Sequence, residues 1–391
     1  MPISILTFLG LAIWLVLFFF WGDFWRIWQA DADHSPPPVA QNCPHVIAIV
    51  PARDEASSIA PVVAALAKQD YPGEFSVMIV DDHSEDATAD LARQAAVKSA
   101  AAARFQIITA ADLAPGWTGK LWALNSGVAA AEKSSPEFFW FTDADVVHAP
   151  DTLGHLVARA QQNNLDLTSL MVLLESQAFA ERLLIPAFLY FFLMLYPPNR
   201  IASPRARTAG AAGGCILLRR TALDRIGGLS AIRGEIIDDC SLARAVKHSG
   251  GNIWLGLTRA SHSLRSYSGF AEIRDMIART AFTQLHYSAL QLFGALLGLA
   301  ITFLVPVALT FAQSPRVWLP ALLAWCLMTA SFLPTITFYR LTPLWSPLLP
   351  ICALFYSYAT LLSAIRYWLG RGARWKGRFQ ASSIPPNNLS S

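Results

Sequence analysis

The sequence predicts an α/β fold, a mostly parallel sheet with helices on both faces, held between apolar segments that lie in a membrane. Three observations predict it. Short β-branched and aromatic runs are each followed by a polar turn and a helical pattern. Clusters of charged residues fall directly after those runs, where open α/β sheets bind their ligands. Apolar stretches near both ends of the chain approach or exceed the roughly 20 residues that a helix needs to cross a bilayer.

In chain order, residues 3–21 are almost wholly apolar and read as a retained anchor (domain 1–22). A cleaved leader is the competing reading, but no basic stretch precedes the run, and its Phe18-Phe19-Phe20-Trp21 end offers no small-residue cleavage context. A linker, 23–44, leads to the domain 45–287. There, Val46-Ile-Ala-Ile-Val50 and Phe75-Ser-Val-Met-Ile-Val80 read as strands, followed by helices over 57–68 and 86–100. Runs at 105–108 and 138–141 continue the alternation, with a further helix at 151–162. Such βαβ repetition closes into a parallel sheet covered on both sides.

Three more apolar stretches, about 289–312, 317–338 and 344–365, form a membrane unit over 288–366, and a basic tail, 367–391, follows. Basic flanks favour the cytoplasm, whereas three crossings put the tail opposite the sheet domain, so the two rules conflict here. The run Leu183 to Tyr196 is apolar but only about 14 residues long, short for a span. It reads as an interfacial helix over 183–197, with a buried core helix as the alternative.

Composition excludes several classes. Of 391 residues 54% are hydrophobic, more than soluble chains carry, and the mean hydropathy is +0.39. A formal charge of +3, with no basic stripe interleaved by aromatics, argues against nucleic acid as a partner. The five cysteines (Cys43, Cys215, Cys240, Cys326, Cys352) form no CxxC pair, so neither a zinc site nor a disulfide framework is indicated, and a reducing compartment follows.

Three acidic clusters carry candidate chemistry. Asp143 and Asp145 follow a buried strand at positions i and i+2, which share a face, and two such carboxylates suit Mg²⁺ or Mn²⁺ bridging to phosphates. Loop capping is the plainer reading. Asp81 and Asp82 stand at a strand tip as hydrogen-bond acceptors, while Ser84 or Asp86 can cap the next helix. Asp238 and Asp239 precede an amphipathic helix ending at Gly250-Gly251; one Asp suffices for a cap, and the pair can hold a raised pKa suited to a general base. Between them, the Gly-flanked Lys120 of Gly116-Trp117-Thr118-Gly119-Lys120 suits a phosphate or a plain turn. Gly213, Gly214 and Cys215 close a glycine-rich stretch that permits close ligand approach or an ordinary turn.

Taken in order, VPARDE, VDDHSEDAT, GWTGK, TDADV, the Gly-rich stretch before LLRRTALDRIGGL, and IDDCSLA resemble the inverting family 2 glycosyltransferases with the GT-A fold. The flanking apolar segments extend the likeness to ceramide glucosyltransferases and especially to hopene-associated glycosyltransferases. The resemblance implies a nucleotide-sugar donor, UDP-linked by expectation, and a lipid acceptor, a hopanoid among the candidates. It implies that Asp81 or Asp82 contacts the nucleoside, that Asp145 with Asp143 holds the metal and donor diphosphate, and that Asp239 is the base, with Asp238 shaping its surroundings. Pro51, Arg53, Glu55, Lys120 and Arg279 complete the implied donor set, and Gly213, Gly214 and Cys215 an acceptor loop.

Membrane-embedded relatives carry a Q/RxxRW motif; here Met276-Ile-Ala-Arg279-Thr280 keeps only the Arg, which argues against a polymer-forming synthase. The expected location is a multi-pass inner-membrane protein with a cytoplasmic catalytic domain. The alternatives are transfer to a polyprenyl phosphate, polysaccharide synthesis, and a non-enzymatic nucleotide-sugar sensor.

Overall fold

The computed structural model describes residues 2–27, 43–371, 374–375 and 378–379. The linker expected over 23–44 and the basic tail expected over 367–391 therefore fall largely outside the described residues.

The chain opens with α1 (Pro2–Phe20), and the sheet domain begins with β1 (Val46–Ala52), α2 (Ile59–Ala67), β2 (Phe75–Asp81), α3 (Thr88–Lys98) and β3 (Phe105–Thr109). It continues through α4 (Gly119–Ala131), β4 (Phe138–Thr142), β5 (Val146–His148), α5 (Thr152–Gln162) and β6 (Leu167–Leu173). After α6 (Phe179–Leu195) and α7 (Pro198–Ala202) come β7 (Cys215–Arg219), α8 (Arg220–Arg225), α9 (Asp238–His248) and β8 (Ile253–Ser263). The C-terminal part holds α10 (Phe270–Ala278), α11 (Ala281–Gln284), α12 (Ala289–Leu299), α13 (Val305–Leu309), α14 (Pro315–Phe338) and α15 (Leu349–Trp368). A π-helical turn, Ala300–Leu304, joins α12 to α13.

The eight strands form one sheet in the order β3-β2-β1-β4-β7-β6-β8-β5. β3, β2, β1 and β4 are parallel, as the alternation predicts. β7 runs antiparallel to both β4 and β6, and β5 antiparallel to β8. The reversal of β7 positions the site. Because Thr142 at the end of β4 pairs with Cys215 at the start of β7, the glycines before β7 arrive at the edge where the parallel strands end.

Side chains alternate between the two faces of the sheet. Ile47, Ile49, Met78 and Val80 pack on the side of α4, and Val46, Ala48, Val50, Val77 and Ile79 on the side of α2, α3 and α5. At Gly127 in α4 a methyl group would lie 2.5 Å from Ile49 Cγ2 and 3.0 Å from Val80 Cγ2, both in buried side chains without a flexible end to give way. Gly127→Ala should therefore destabilise the fold. Overpacking of about 1–3 kcal/mol outweighs the roughly 0.5–1 kcal/mol that Ala adds to a helix, and denaturant unfolding in detergent measures the balance.

Among the described residues, five helical segments are long and apolar enough to cross a membrane: Ile3–Phe20, Phe179–Ala202, Ala289–Leu309, Pro315–Phe338 and Pro343–Trp368. The segment expected as an interfacial helix over 183–197 falls mostly in α6, whose residues between Leu183 and Leu193 are mostly buried. Pro186 removes an N–H from the middle of α6. Near it, Cys352 Sγ donates to Leu183 O (3.1 Å) and Tyr356 Oη to Leu184 O (2.9 Å), while Tyr190 Oη pairs with Ser331 Oγ (2.7 Å). Trp14 Nε1 donates to Thr302 O (2.7 Å) and Trp21 Nε1 to Met194 O (2.8 Å), tying α1 to the same bundle. These polar groups among apolar helices are thus matched to partners, as a low-dielectric setting demands, whereas the buried Thr335 Oγ1 of α14 is not.

Candidate active site

β4 delivers its two aspartates through a buried polar network. Thr142 Oγ1 donates to Gly214 O (3.0 Å) and lies 2.7 Å from His148 Nε2. With the hydroxyl proton committed, His148 carries its proton on Nε2, and Nδ1 accepts from Ser261 Oγ (2.8 Å). Burial, with His262 nearby, lowers the His148 pKa to about 3, so the ring is neutral. The network fixes the end of β4 to the glycine loop and to β8.

Beyond Thr142, Asp143 Oδ1 meets Lys120 Nζ at 2.7 Å. Asp145 accepts from Ser263 Oγ at 3.4 Å, and its backbone oxygen accepts from Leu264 N at 2.7 Å. Burial raises the Asp145 carboxyl to about 6, helped by the charges of Asp143 and Glu55 and opposed by Arg265 and Lys120. That excess of negative charge is the electrostatic condition a divalent cation relieves. Among the described residues no group of three or more His, Cys, Asp or Glu could enclose a metal alone. The donor set nevertheless fits Mg²⁺ or Mn²⁺, which are held by one or two carboxylates and completed by water and phosphate oxygens. Asp143 commits one oxygen to Lys120, which leaves Asp145 the less committed carboxylate of the two.

Asp238 and Asp239 stand at the start of α9. Asp239 Oδ2 accepts from Gly213 N (2.9 Å) and Oδ1 from Cys240 N (2.7 Å). Burial and the neighbouring Asp238 push its pKa up to about 6, against Lys120 and these two N–H groups. Burial pulls the Lys120 ammonium down, but Asp143, Asp238 and Asp239 outweigh it and hold the group well above its ordinary value. One half-buried cation therefore joins the two acidic clusters.

The remaining expected residues divide. Pro51, Glu55, Lys120, Asp143, Asp145, Gly213, Gly214, Asp238, Asp239 and Arg279 line one cavity, whereas Arg53, Asp81, Asp82 and Cys215 are buried and do not line it. Arg53 Nη1 donates to Asp82 O (2.5 Å) and His83 O (3.2 Å), so it ties the loops after β1 and β2 together. Asp54 and His83, both at positive φ, sit in that crossing, where Asp54 N donates to Ser84 Oγ (3.0 Å) and Glu85 N to Asp54 Oδ1 (2.8 Å). Ser84 serves this crossing, and Asp86 accepts from Thr88 N (2.9 Å) at the head of α3. Asp81 Oδ1 accepts from Ser84 Oγ. Cys215 Sγ accepts from Trp140 Nε1 at 3.4 Å.

Arg265, on the segment after β8, also lines the cavity and was not expected. The rule that ligands meet strand ends would have found it had β8 been legible. The cavity encloses about 780 Å³. One end holds the carboxylates and cations; the other is walled by Leu17 of α1 and Trp21 just after it, Phe188 and Phe191 of α6, and Gly298 and Leu299 of α12.

Comparison with known proteins bears on this geometry. Residues 47–227 match the family model described as Glycosyl transferase family 2. This segment is a glycosyltransferase domain. It contains the first two acidic clusters, Lys120 and the glycine loop, and the helix bearing Asp238 and Asp239 follows it directly. No curated protein matches the chain.

Among solved structures, a mannosyltransferase from Pyrobaculum calidifontis in complex with GDP-Man and Mn²⁺ is similar with a TM-score of 0.58 at 18% identity, covering 93% of this chain and 98% of that one. At that identity the likeness speaks for the fold, GT-A-like and flanked by apolar helices. Glucosyl-3-phosphoglycerate synthase from Mycobacterium tuberculosis, in complex with Mn²⁺, uridine-diphosphate-glucose and glycerol 3-phosphate, matches with a TM-score of 0.39 at 18% identity over 62% of this chain and 79% of its own.

Proposed function

We propose that the protein transfers a sugar from a nucleoside diphosphate sugar to a hydroxyl of a lipid acceptor, with inversion at the anomeric carbon. The observation that carries this reading is the single cavity, which holds the acidic clusters at one end and apolar membrane-type helices at the other. A water-soluble acceptor would need no such wall of Trp21, Phe188 and Phe191.

Asp239 supports a hydroxyl acceptor over a polyprenyl phosphate. A phosphate is already anionic and needs no base, and Asp238 and Asp239 would repel it; a hydroxyl needs its proton removed as it attacks. A carboxylate raised to about 6 is ionised at neutral pH yet more basic than an ordinary Asp. Lys120 holds Asp143 in place and places positive charge beside the diphosphate. When bound, Mg²⁺ or Mn²⁺ supplies further positive charge to the departing diphosphate, and Asp145 with Asp143 are the residues that would hold it. The similar mannosyltransferase carries GDP-Man, and the motif resemblance favours UDP, so both donors belong in the test. The resemblance to hopene-associated enzymes makes a hopanoid the first acceptor to try. The same reading expects the catalytic domain on the cytoplasmic side of the inner membrane.

Incubating the purified chain with labelled UDP- and GDP-sugars, Mn²⁺ and a membrane lipid extract should yield a labelled lipid carrying one sugar. A labelled polymer, a labelled lipid phosphate, or donor binding without turnover would each sink the proposal. Gly298 offers a second check, because a side chain there would meet nothing within 4 Å and would project where the acceptor tail is placed. Gly298→Phe should raise the acceptor KM about tenfold or more while nucleotide binding is unchanged, read by acceptor titration beside calorimetry with UDP and GDP.

A further inference from the structure

We propose that Glu181 is a positioning residue that holds Arg265 beside the donor diphosphate by clamping the segment after β8 onto the start of α6; this rests on the function proposed above. Glu181 is only 1% exposed. Burying a carboxylate is costly unless its oxygens are matched, and no Lys or Arg lies within ion-pair distance of it among the described residues. Three backbone N–H groups do the matching. Gln177 N and Ala178 N each donate to Oε2 at 2.9 Å, and Tyr267 N donates to Oε1 at 2.6 Å.

The first two bonds are ordinary for a Glu in the first turn of a helix. The third is not, since Tyr267 lies 86 residues away in sequence. It anchors the segment between β8 and α10 at one end. At the other, Leu264 N donates to Asp145 O (2.7 Å), and Ser263 Oγ accepts from Arg265 N (3.1 Å) while reaching Asp145 Oδ2 (3.4 Å). Arg265 thus stands between two anchors. Its side chain lines the cavity, lies 5.6 Å from the centroid of the Tyr267 ring, and acts electrostatically on Asp145.

A long, exposed arginine is a poor ligand for phosphate unless its backbone is held, and the clamp supplies that constraint. α6 is a firm base for it, because Tyr190 and the carbonyls of Leu183 and Leu184 are bonded to the neighbouring helices.

Calorimetric titration of the purified full chain with UDP and with GDP, each with Mn²⁺, tests the proposal. Glu181→Gln keeps the shape but turns one acceptor oxygen into an NH₂ that opposes a backbone N–H. It should weaken nucleotide binding on the order of tenfold, the scale of one charge-assisted hydrogen bond, and lower the unfolding midpoint only modestly, because the other oxygen still accepts. Arg265→Ala should weaken binding at least as much, and adding Glu181→Gln to it should change binding less than about twofold. Should Glu181→Gln fail to fold, Glu181→Asp, which keeps the charge but draws the carboxylate back from Tyr267 N by one methylene, should give the same loss. Wild-type affinity in the clamp variants, or losses that multiply in the double variant, would overturn the inference while leaving the proposed function standing. A wild-type protein that binds neither nucleotide would overturn both.

Discussion

Asp239→Asn should lower kcat by about 10²- to 10⁴-fold while leaving nucleotide affinity near the wild-type value. That is the range in which a positioned general base contributes. The substitution keeps the shape and removes only the capacity to take a proton. The unfolding midpoint should move little, because two effects oppose. The variant no longer carries a charge that burial and Asp238 disfavour, but its amide cannot accept from both Gly213 N and Cys240 N.

The pH dependence of the wild type follows with a definite sign. A carboxyl whose pKa is raised to about 6 is protonated below that value and idle as a base. Activity should therefore climb through pH ~6 and level off above it, with roughly a tenfold loss at one pH unit below. An unperturbed Asp would place that limb near pH 4. Asp145 is raised to the same range, so the comparison is made at saturating Mg²⁺ or Mn²⁺, which would hold Asp145 ionised; the limb should then vanish in Asp239→Asn, and kcat/KM against pH is the measurement.

The second large effect concerns the cation. Asp145→Asn should abolish metal-supported binding of UDP or GDP and reduce turnover by about 10³-fold or more, the order expected when several kcal/mol of charge stabilisation is withdrawn. Chelation of the wild type should reproduce the loss, and added Mg²⁺ or Mn²⁺ should restore the wild type but not the variant. Asp143→Asn should be milder toward the metal, since Asp143 commits Oδ1 to Lys120. It should also disturb Asp239 through the shared ammonium. Calorimetric titration with and without metal separates these outcomes, and unchanged metal dependence in Asp145→Asn would remove Asp145 from the site.

Several features were legible in the sequence because they rest on local pattern. β1, β2 and β4 are buried on both faces, so each appears as a nearly continuous apolar run, and the rule that ligands meet strand ends leads from them to Asp143 and Asp145. The helices of the membrane unit are visible for the same reason, as continuous apolar length. β8 was not legible, because polar residues interrupt Ile253–Ser263, and Arg265 went unread with it. Arg53 is a different case. Its place after β1 suggests a ligand contact, yet its guanidinium is spent on the carbonyls of Asp82 and His83.

Local pattern sufficed for the α/β class, for the apolar segments long enough to cross a membrane, and for which carboxylates stand at strand or helix ends, since period, length and strand-end position are properties of neighbouring residues. Only the tertiary structure decided what those groups face. Gly213 meets Asp239 because β7 runs antiparallel beside β4; Glu181 meets Tyr267 across 86 residues; and α1, α6 and α12 converge to make the apolar end of the cavity. The physical reason is that these contacts arise from the order and direction of strands and from helix packing, which join residues far apart in the chain and leave no periodic trace along it.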